Sequence, residues 1–154
     1  MTRALAPVLG TVMLVVVTVS LAAVVGAVAL VDTTPPEPGS SVVLSGSANA
    51  SVDRITVNHE SGPPLDVRRI RLRITVDGTP LTHQPNVPFF RITGFRAGPT
   101  GPFNSAADPH WTVGEETSLQ LDDDNSPLIV PGSTVTVRVY RDETLLARLS
   151  VTAH

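Results

Sequence analysis

Residues Ala4 to Val31 form a run of 28 residues that contains no charged side chain. Arg3 is the only charged residue before the run, so the other 24 of the 25 charged residues lie at or beyond Asp32. A helix rises about 1.5 Å per residue and a bilayer core is about 30 Å thick, so roughly 20 apolar residues span it. The run therefore predicts a long hydrophobic helix over residues 5–31, followed by one polar domain.

This apolar run is too long for the hydrophobic stretch of a cleaved secretory signal, which has about 7 to 15 residues. Small residues within it, including Gly10 and Gly26, recur at helical spacings and would let neighbouring helices approach closely. Pro7 suits the first turn of a helix, because its missing N–H is unpaired there in any case. The sequence thus favours a helix that packs against other helices.

The first 30 residues resemble the N-terminus of archaeal type IV pilins, especially the haloarchaeal kind. The resemblance is carried by the basic and small pair Arg3-Ala4, by Leu-Ala-Pro-Val-Leu-Gly from Leu5, and by Ala-Ala-Val-Val-Gly at 22–26. It implies that a prepilin peptidase cuts between Ala4 and Leu5, so that residues 1–4 are a leader peptide. It further implies a structural subunit that waits in the cell membrane with its N-terminus inside. The pilus assembly machinery would then polymerise it through its helix into an extracellular surface filament that serves in adhesion.

Two positions depart from the family pattern. Ala6 stands where the family often has Ser, and Leu9 stands where bacterial pilins carry Glu. Archaellins, the motor-driven relatives, differ more in the residues after the cleavage site. The alternative interpretation is a signal anchor, with Arg3 kept inside the cell, that holds a non-polymerising ectodomain able to bind a surface ligand. A third is an anchored enzyme. N-terminal sequencing separates the first two interpretations.

The prolines and glycine of residues 32–40 predict a linker that resists continuation of the helix. Residues 41–154, called the head from here on, alternate apolar and polar side chains. The clearest strands are residues 70–76, before the turn residues Asp77-Gly78, and residues 134–139. Weaker strand candidates are residues 41–44, 54–58, 89–92, 117–121 and 145–152.

Seven short strands separated by turn residues predict an antiparallel β-sandwich of Ig-like architecture. Residues 94–109 are rich in Gly and Pro and predict a long surface loop. The predicted fold class is therefore α+β, with one long N-terminal hydrophobic helix followed by an all-β Ig-like sandwich head.

No combination of side chains in the sequence predicts catalysis, a metal site or a cofactor. The chain has no cysteine, which excludes disulfides and thiolate chemistry. His59-Glu60 lacks the second histidine of a helical zinc protease motif. Residues 122–125 read Asp-Asp-Asp-Asn, which departs from the spacing of an EF-hand loop and favours a solvated acidic turn, although Ca²⁺ binding stays open. A net charge of −3 argues against nucleic acid as a partner.

Arg69, Arg71 and Arg73 would project from one face of a strand. Fourteen acidic residues are available to pair with them, so ordinary surface ion pairing is expected. An anionic glycan, an acid of a neighbouring subunit or nucleic acid is the alternative partner. Asn49-Ala50-Ser51 is the only N-glycosylation sequon, so Asn49 would accept a glycan if the head lies outside the cell.

Overall fold

The computed structural model describes residues 5–29 and 42–154, and in the helix it describes side chains only over residues 8–20. The chain divides into two compact units, Met1–Glu37 and Pro38–His154. The predicted leader, residues 1–4, and the predicted linker, residues 32–40, lie outside the described residues. The two units are therefore described separately.

The N-terminal unit contains helix α1, Leu5–Ala29. Among the residues that the structure describes, no helix is both long and apolar enough to cross a membrane. The prediction of an α+β fold with a long hydrophobic helix over residues 5–31 is therefore wrong, and the described chain is mostly β-sheet.

The C-terminal unit is built from strands and two short 3₁₀ turns. The strands are β1 Val43–Asn49, β2 Arg54–Ser61, β3 Leu65–Asp66, β4 Ile70–Val76, β5 Thr79–Pro80, β6 His110–Trp111, β7 Glu116–Gln120, β8 Thr134–Arg141 and β9 Thr144–Thr152. The 3₁₀ turns are Val67–Arg69 and Gly101–Phe103.

Antiparallel pairing organises these strands into a three-stranded sheet of order β1-β2-β7 and a four-stranded sheet of order β5-β4-β8-β9. A short third pair joins β3 and β6. The sheet arrangement of a β-sandwich is thus confirmed. Two predicted strands, residues 70–76 and 134–139, appear as β4 and β8, and Asp77-Gly78 forms the turn that connects β4 to β5.

Alternation along the strands places the core between the two sheets. In β4, Leu72 and Ile74 are buried whereas Arg71 and Arg73 are exposed. In β8, the alternate valines at 135, 137 and 139 are buried. Removing apolar surface from water contributes about 25 cal/mol per Å², so the alternation fixes which face of the four-stranded sheet meets solvent.

The C-terminus links the two sheets along one side. Ala153 forms a parallel bridge with Ala48. The His154 N–H donates to the Ala48 carbonyl at 3.1 Å, and the Ala50 N–H donates to the His154 carbonyl at 2.8 Å. These bonds satisfy backbone groups of β1 that would otherwise remain as an open strand edge.

One strand prediction and one loop prediction need correction. Residues 89–92 are not a strand but make isolated bridges, Phe89 to Asn104 and Ile92 to Phe95, and the Phe89 N–H donates to the Phe103 carbonyl of a 3₁₀ turn rather than to a strand partner. The segment 94–109 is not only a surface loop, since Phe95 and Phe103 are buried in the core. These two side chains anchor the segment to the sandwich.

Candidate interaction surfaces

The described part of α1 is apolar on every side. Its large hydrophobic side chains are between 52 % and 66 % exposed. They are Val8, Leu9, Val12, Met13, Leu14, Val15, Val16, Val17 and Val19. A helix that is hydrophobic all round is normally buried, so this stretch is a surface suited to cover by other apolar groups.

Even the hydroxyl groups of this stretch are satisfied within the helix. Thr11 Oγ1 donates to the Val8 carbonyl at 2.9 Å, and Ser20 Oγ donates to the Val16 carbonyl at 2.7 Å. Thr18 donates to carbonyls of the preceding turn in the same way. Back-bonding of this kind leaves no free hydroxyl donor at these three positions, so the helix surface can enter an apolar environment at little cost.

Gly10 is the one predicted helix-motif residue whose surroundings the structure describes. It is exposed, and a Cβ added there would meet nothing within 4 Å. Leu5 opens the helix, and the backbones of Pro7 and Gly26 are helical. Arg3 and Ala4, the other two cleavage-site residues, lie outside the described residues.

The outer face of the four-stranded sheet carries a row of three arginines, called the arginine row. Arg73 on β4 lies directly opposite Arg138 on β8, and Arg138 lies directly opposite Arg148 on β9. Side chains of directly opposed residues lie on the same face of a sheet. Since neighbouring strands are about 4.8 Å apart, the three Cα positions span roughly 10 Å.

No carboxylate neutralises the arginine row among the described residues. The ion pairs present there join Arg68 to Asp66, Arg96 to Asp122 and Asp123, and His110 to Asp108. The surface pairing expected for Arg69, Arg71 and Arg73 is therefore not found in this part of the chain. Because like charges directly opposite each other destabilise a sheet, the arginine row is a charge arrangement that folding alone does not explain.

Two adjoining clefts lie beside the arginine row and share Arg73 and Tyr140 as lining residues. The larger has a volume of about 430 Å³ and is also lined by Arg138, Thr82 and Gln84. The smaller, of about 240 Å³, is bounded by Arg71 and by the acidic turn Asp142-Glu143. The larger volume is within the range of about 300–1,000 Å³ that small-molecule sites occupy.

The side chains around the larger cleft are held in place by hydrogen bonds. Gln84 Oε1 accepts from the Ile74 N–H at 2.7 Å, and Gln84 Nε2 donates to the Ile74 carbonyl at 2.9 Å. The Thr136 and Ser150 hydroxyls, two residues along β8 and β9 from the arginine row, are 2.9 Å apart. Two arginines, Arg73 and Arg138, thus line one cleft together with Tyr140.

His59 is packed in the core. It is fully buried, its Nδ1 lies 3.1 Å from the Trp111 carbonyl oxygen, and its ring stacks at a tilt on the Trp111 indole with centroids 5.6 Å apart. Because a carbonyl oxygen can only accept, Nδ1 carries the proton in this bond. Glu60, the neighbour in the sequence pair, is exposed and accepts from the Ser45 hydroxyl.

Within residues 122–125, two aspartates lie near an arginine and the asparagine links loops. Asp122 is half-buried and Asp123 is exposed, and each has one carboxylate oxygen 3.8 Å from the Arg96 guanidinium. Asn125 is buried and uses its whole amide to join three loops. Its Oδ1 accepts from the His83 N–H at 3.0 Å, and its Nδ2 donates to the carbonyls of His83 and Gly94 at 3.1 and 2.9 Å.

Two surface acids are stabilised in their charged form. Hydrogen bonds from the Arg68 side chain lower the pKa of Asp66 from 3.8 to about 2. The backbone N–H of His110, followed by its side chain, lowers the pKa of Asp108. Both acids lie beside the short β3–β6 pair, where Asp66 also accepts from the Arg68 N–H at 3.0 Å and caps the 3₁₀ turn.

The predicted glycan acceptor Asn49 is exposed at the end of β1. Its Oδ1 accepts from the Ser51 N–H at 3.0 Å and from the Ser51 hydroxyl at 2.6 Å. The sequon therefore stands accessible in a tight turn, and its modification stays a prediction.

Among the described residues, no group of three or more His, Asp or Glu side chains is placed to hold a metal ion. No known family model matches the chain, and no curated protein matches it significantly.

Proposed function

We propose that this chain is the structural subunit of a type IV pilus-like surface filament that serves in adhesion. In this account a prepilin peptidase trims the chain between Ala4 and Leu5, and the pilus assembly machinery then joins copies through α1. The β-sandwich head carries the surface that meets other molecules. The proposed family rests on the N-terminal resemblance, and the exposed apolar helix surface is the physical reason proposed for assembly.

The observation that carries the proposal is the exposure of the described helix side chains. A contiguous apolar surface on an isolated chain marks a site of association. At about 25 cal/mol per Å² of apolar surface removed from water, covering nine large side chains by neighbouring helices gives a strong drive to polymerise. The satisfied hydroxyls of Thr11, Thr18 and Ser20 remove the main polar cost of that burial.

Electron microscopy of material sheared from the cell surface tests this proposal. Cells expressing the unaltered chain should yield filaments that an antibody against the head decorates along their length. Val15→Glu places a charge in the apolar helix surface and should abolish the filaments, because a buried unpaired carboxylate is costly. Val15→Ile, which keeps the surface apolar, is the matched control and should assemble.

Two results would contradict the proposal. One is the absence of decorated filaments from cells that display the unaltered head on their surface, which would favour a non-polymerising ectodomain. The other is normal filament formation by Val15→Glu, which would show that α1 is not the assembly element.

A further inference from the structure

We propose that the arginine row is a binding site for an acidic polysaccharide, whose sugar units lie across strands β4, β8 and β9. This inference deepens the proposed function by naming the chemical class of the adhesion target, and it rests on the head being exposed outside the cell. The four side chains that argue for it are Arg73, Arg138, Arg148 and Tyr140.

The charge arrangement selects an anionic partner. Three arginine residues are paired directly opposite one another on adjacent strands, and no described carboxylate lies within 4.0 Å of their guanidinium groups. Such a row repels itself in the free protein, and a bound anion relieves that repulsion. Guanidinium groups bind carboxylates and sulfates through two parallel hydrogen bonds, which are the anionic groups that acidic sugars carry.

The spacing between adjacent arginines favours a polymer with a short repeat. Adjacent arginines are separated by the strand spacing of about 4.8 Å, which is comparable with the length of one sugar unit in an extended chain. A ligand lying perpendicular to the strands would therefore meet one guanidinium per strand.

Tyr140 and the larger cleft suit a sugar better than a simple ion. Tyr140 is half-buried and lines both clefts, so its ring offers an apolar platform with a hydroxyl at its tip. Thr82 and Gln84 border the larger cleft and are held by hydrogen bonds to the Ser126 and Ile74 backbone groups. The cleft volume of about 430 Å³ has room for a single sugar ring.

The direction of the ligand follows from the acids at the border. Asp142 and Glu143 line the smaller cleft and would repel a polyanion that runs along the strands toward the β8–β9 turn. The path across the strands, from the larger cleft over Arg138 to Arg148, avoids them.

Binding of the full chain to immobilised polygalacturonate tests the proposal, with neutral dextran as the reference matrix and inorganic polyphosphate as a sugar-free polyanion. The chain is used as sheared filaments, or in detergent micelles if filaments do not form. The test thus remains valid if filament assembly fails. The unaltered chain should bind polygalacturonate and not dextran, and added salt should weaken the binding, because salt screens exposed charges.

The double variant Arg73→Gln, Arg138→Gln should weaken polygalacturonate binding by at least about tenfold, because it removes two charge-assisted contacts. Its matched control is Arg54→Gln, Arg91→Gln, which removes the same charge away from the row and should bind normally. Tyr140→Leu should weaken binding to polygalacturonate more than binding to polyphosphate. Thermal unfolding of the row variant should be unchanged or slightly higher, since its repulsion is relieved.

Three results would overturn this inference. Equal loss of binding in the row variant and its control would show a general charge effect. Equal effects of Tyr140→Leu on both polyanions would show that no sugar is recognised. Loss of filaments in the row variant with unchanged polygalacturonate binding would make the row a contact between copies of the chain.

Discussion

Asn125 shows how one buried amide can hold an irregular region together. Its oxygen accepts from the N–H groups of His83 and Ser126, and its nitrogen donates to two carbonyls. Only an amide offers both donors and acceptors in this geometry. The residue therefore acts as a structural link between loops, and not as the cation ligand that its acidic neighbours in the sequence allowed.

Replacing this amide by a carboxylate gives a sharp test at the residue scale. Asn125→Asp keeps the size of the side chain but points a carboxylate oxygen at the carbonyls of His83 and Gly94. We expect the free energy of unfolding to fall by about 3 kcal/mol, since two buried hydrogen bonds are lost and acceptors face acceptors. Denaturant unfolding followed by circular dichroism measures the change.

Asn104→Asp is the matched control for that variant. The Asn104 side chain accepts from the Ala106 N–H through Oδ1, and a carboxylate accepts equally well. Its stability should change by less than about 0.5 kcal/mol. Similar losses in both variants would show that the link described for Asn125 does not stabilise the head.

Asp66 should make the stability of the fold depend on pH in the acid range. Its pKa is about 2 in the folded chain against an ordinary 3.8, so the charged form stabilises the fold above pH 3.8 and that stabilisation is lost as the pH falls toward 2. Asp66→Asn should therefore lose less stability than the unaltered chain between pH 4 and pH 2. Unfolding curves at a series of pH values measure this.

An Asp66→Asn variant that follows the acid dependence of the unaltered chain would refute the role of the Arg68 hydrogen bonds.

At the scale of elements, Gly46 in β1 marks a close approach between the two sheets. A Cβ added there would overlap the Thr56 carbonyl oxygen on β2 and lie 3.0 Å from Leu149 Cδ2 on β9. Gly46→Ala should therefore lower the free energy of unfolding by about 1–3 kcal/mol, the usual cost of overpacking. Thermal unfolding of the head measures the loss.

Gly10→Ala, which lies in α1, provides a comparison outside the head. Nothing lies within 4 Å of a Cβ added at Gly10, so head stability should not fall in that variant. A head that tolerates Gly46→Ala as well as Gly10→Ala would contradict the close packing of β1 against β9.

The alternating strands were predictable from the sequence, and the contacts between distant segments were not. β4 and β8 follow from period-two patterns at 70–76 and 134–139 because burial of one face dictates that pattern. The two-residue strands β3 and β6 have too few residues to show a pattern, although the core depends on Trp111 within β6. Residues 89–92 show the opposite error, because the sequence predicted a strand there and the structure has only isolated bridges.

Only part of the arginine row could be predicted from the sequence. Alternation places Arg71 and Arg73 on one face of β4, but the opposition of Arg73, Arg138 and Arg148 depends on cross-strand register. A slip of one residue in either pairing would move every side chain of a strand to the other face. Register is set by turns and core packing together, so this surface could be found only in the folded head.

In the whole molecule, the two units would have separate roles, assembly for the helix and target binding for the head. The apolar surface of α1 would be covered by other copies of the helix, while the head would present its sheet face to a target.

The exposed Asn49 sequon predicts glycosylation of the head. Mass spectrometry would show a glycan as an added mass on the peptide containing Asn49, and finding only unmodified peptide would contradict this prediction.

The central claim is that the chain is processed and assembled into a filament, and mass spectrometry of purified filaments tests it most directly. Filaments sheared from cells and collected by centrifugation should contain this chain as a main component, with Leu5 as its first residue. A chain that is absent from the filament fraction, or that begins there at Met1 or Thr2, would contradict the account.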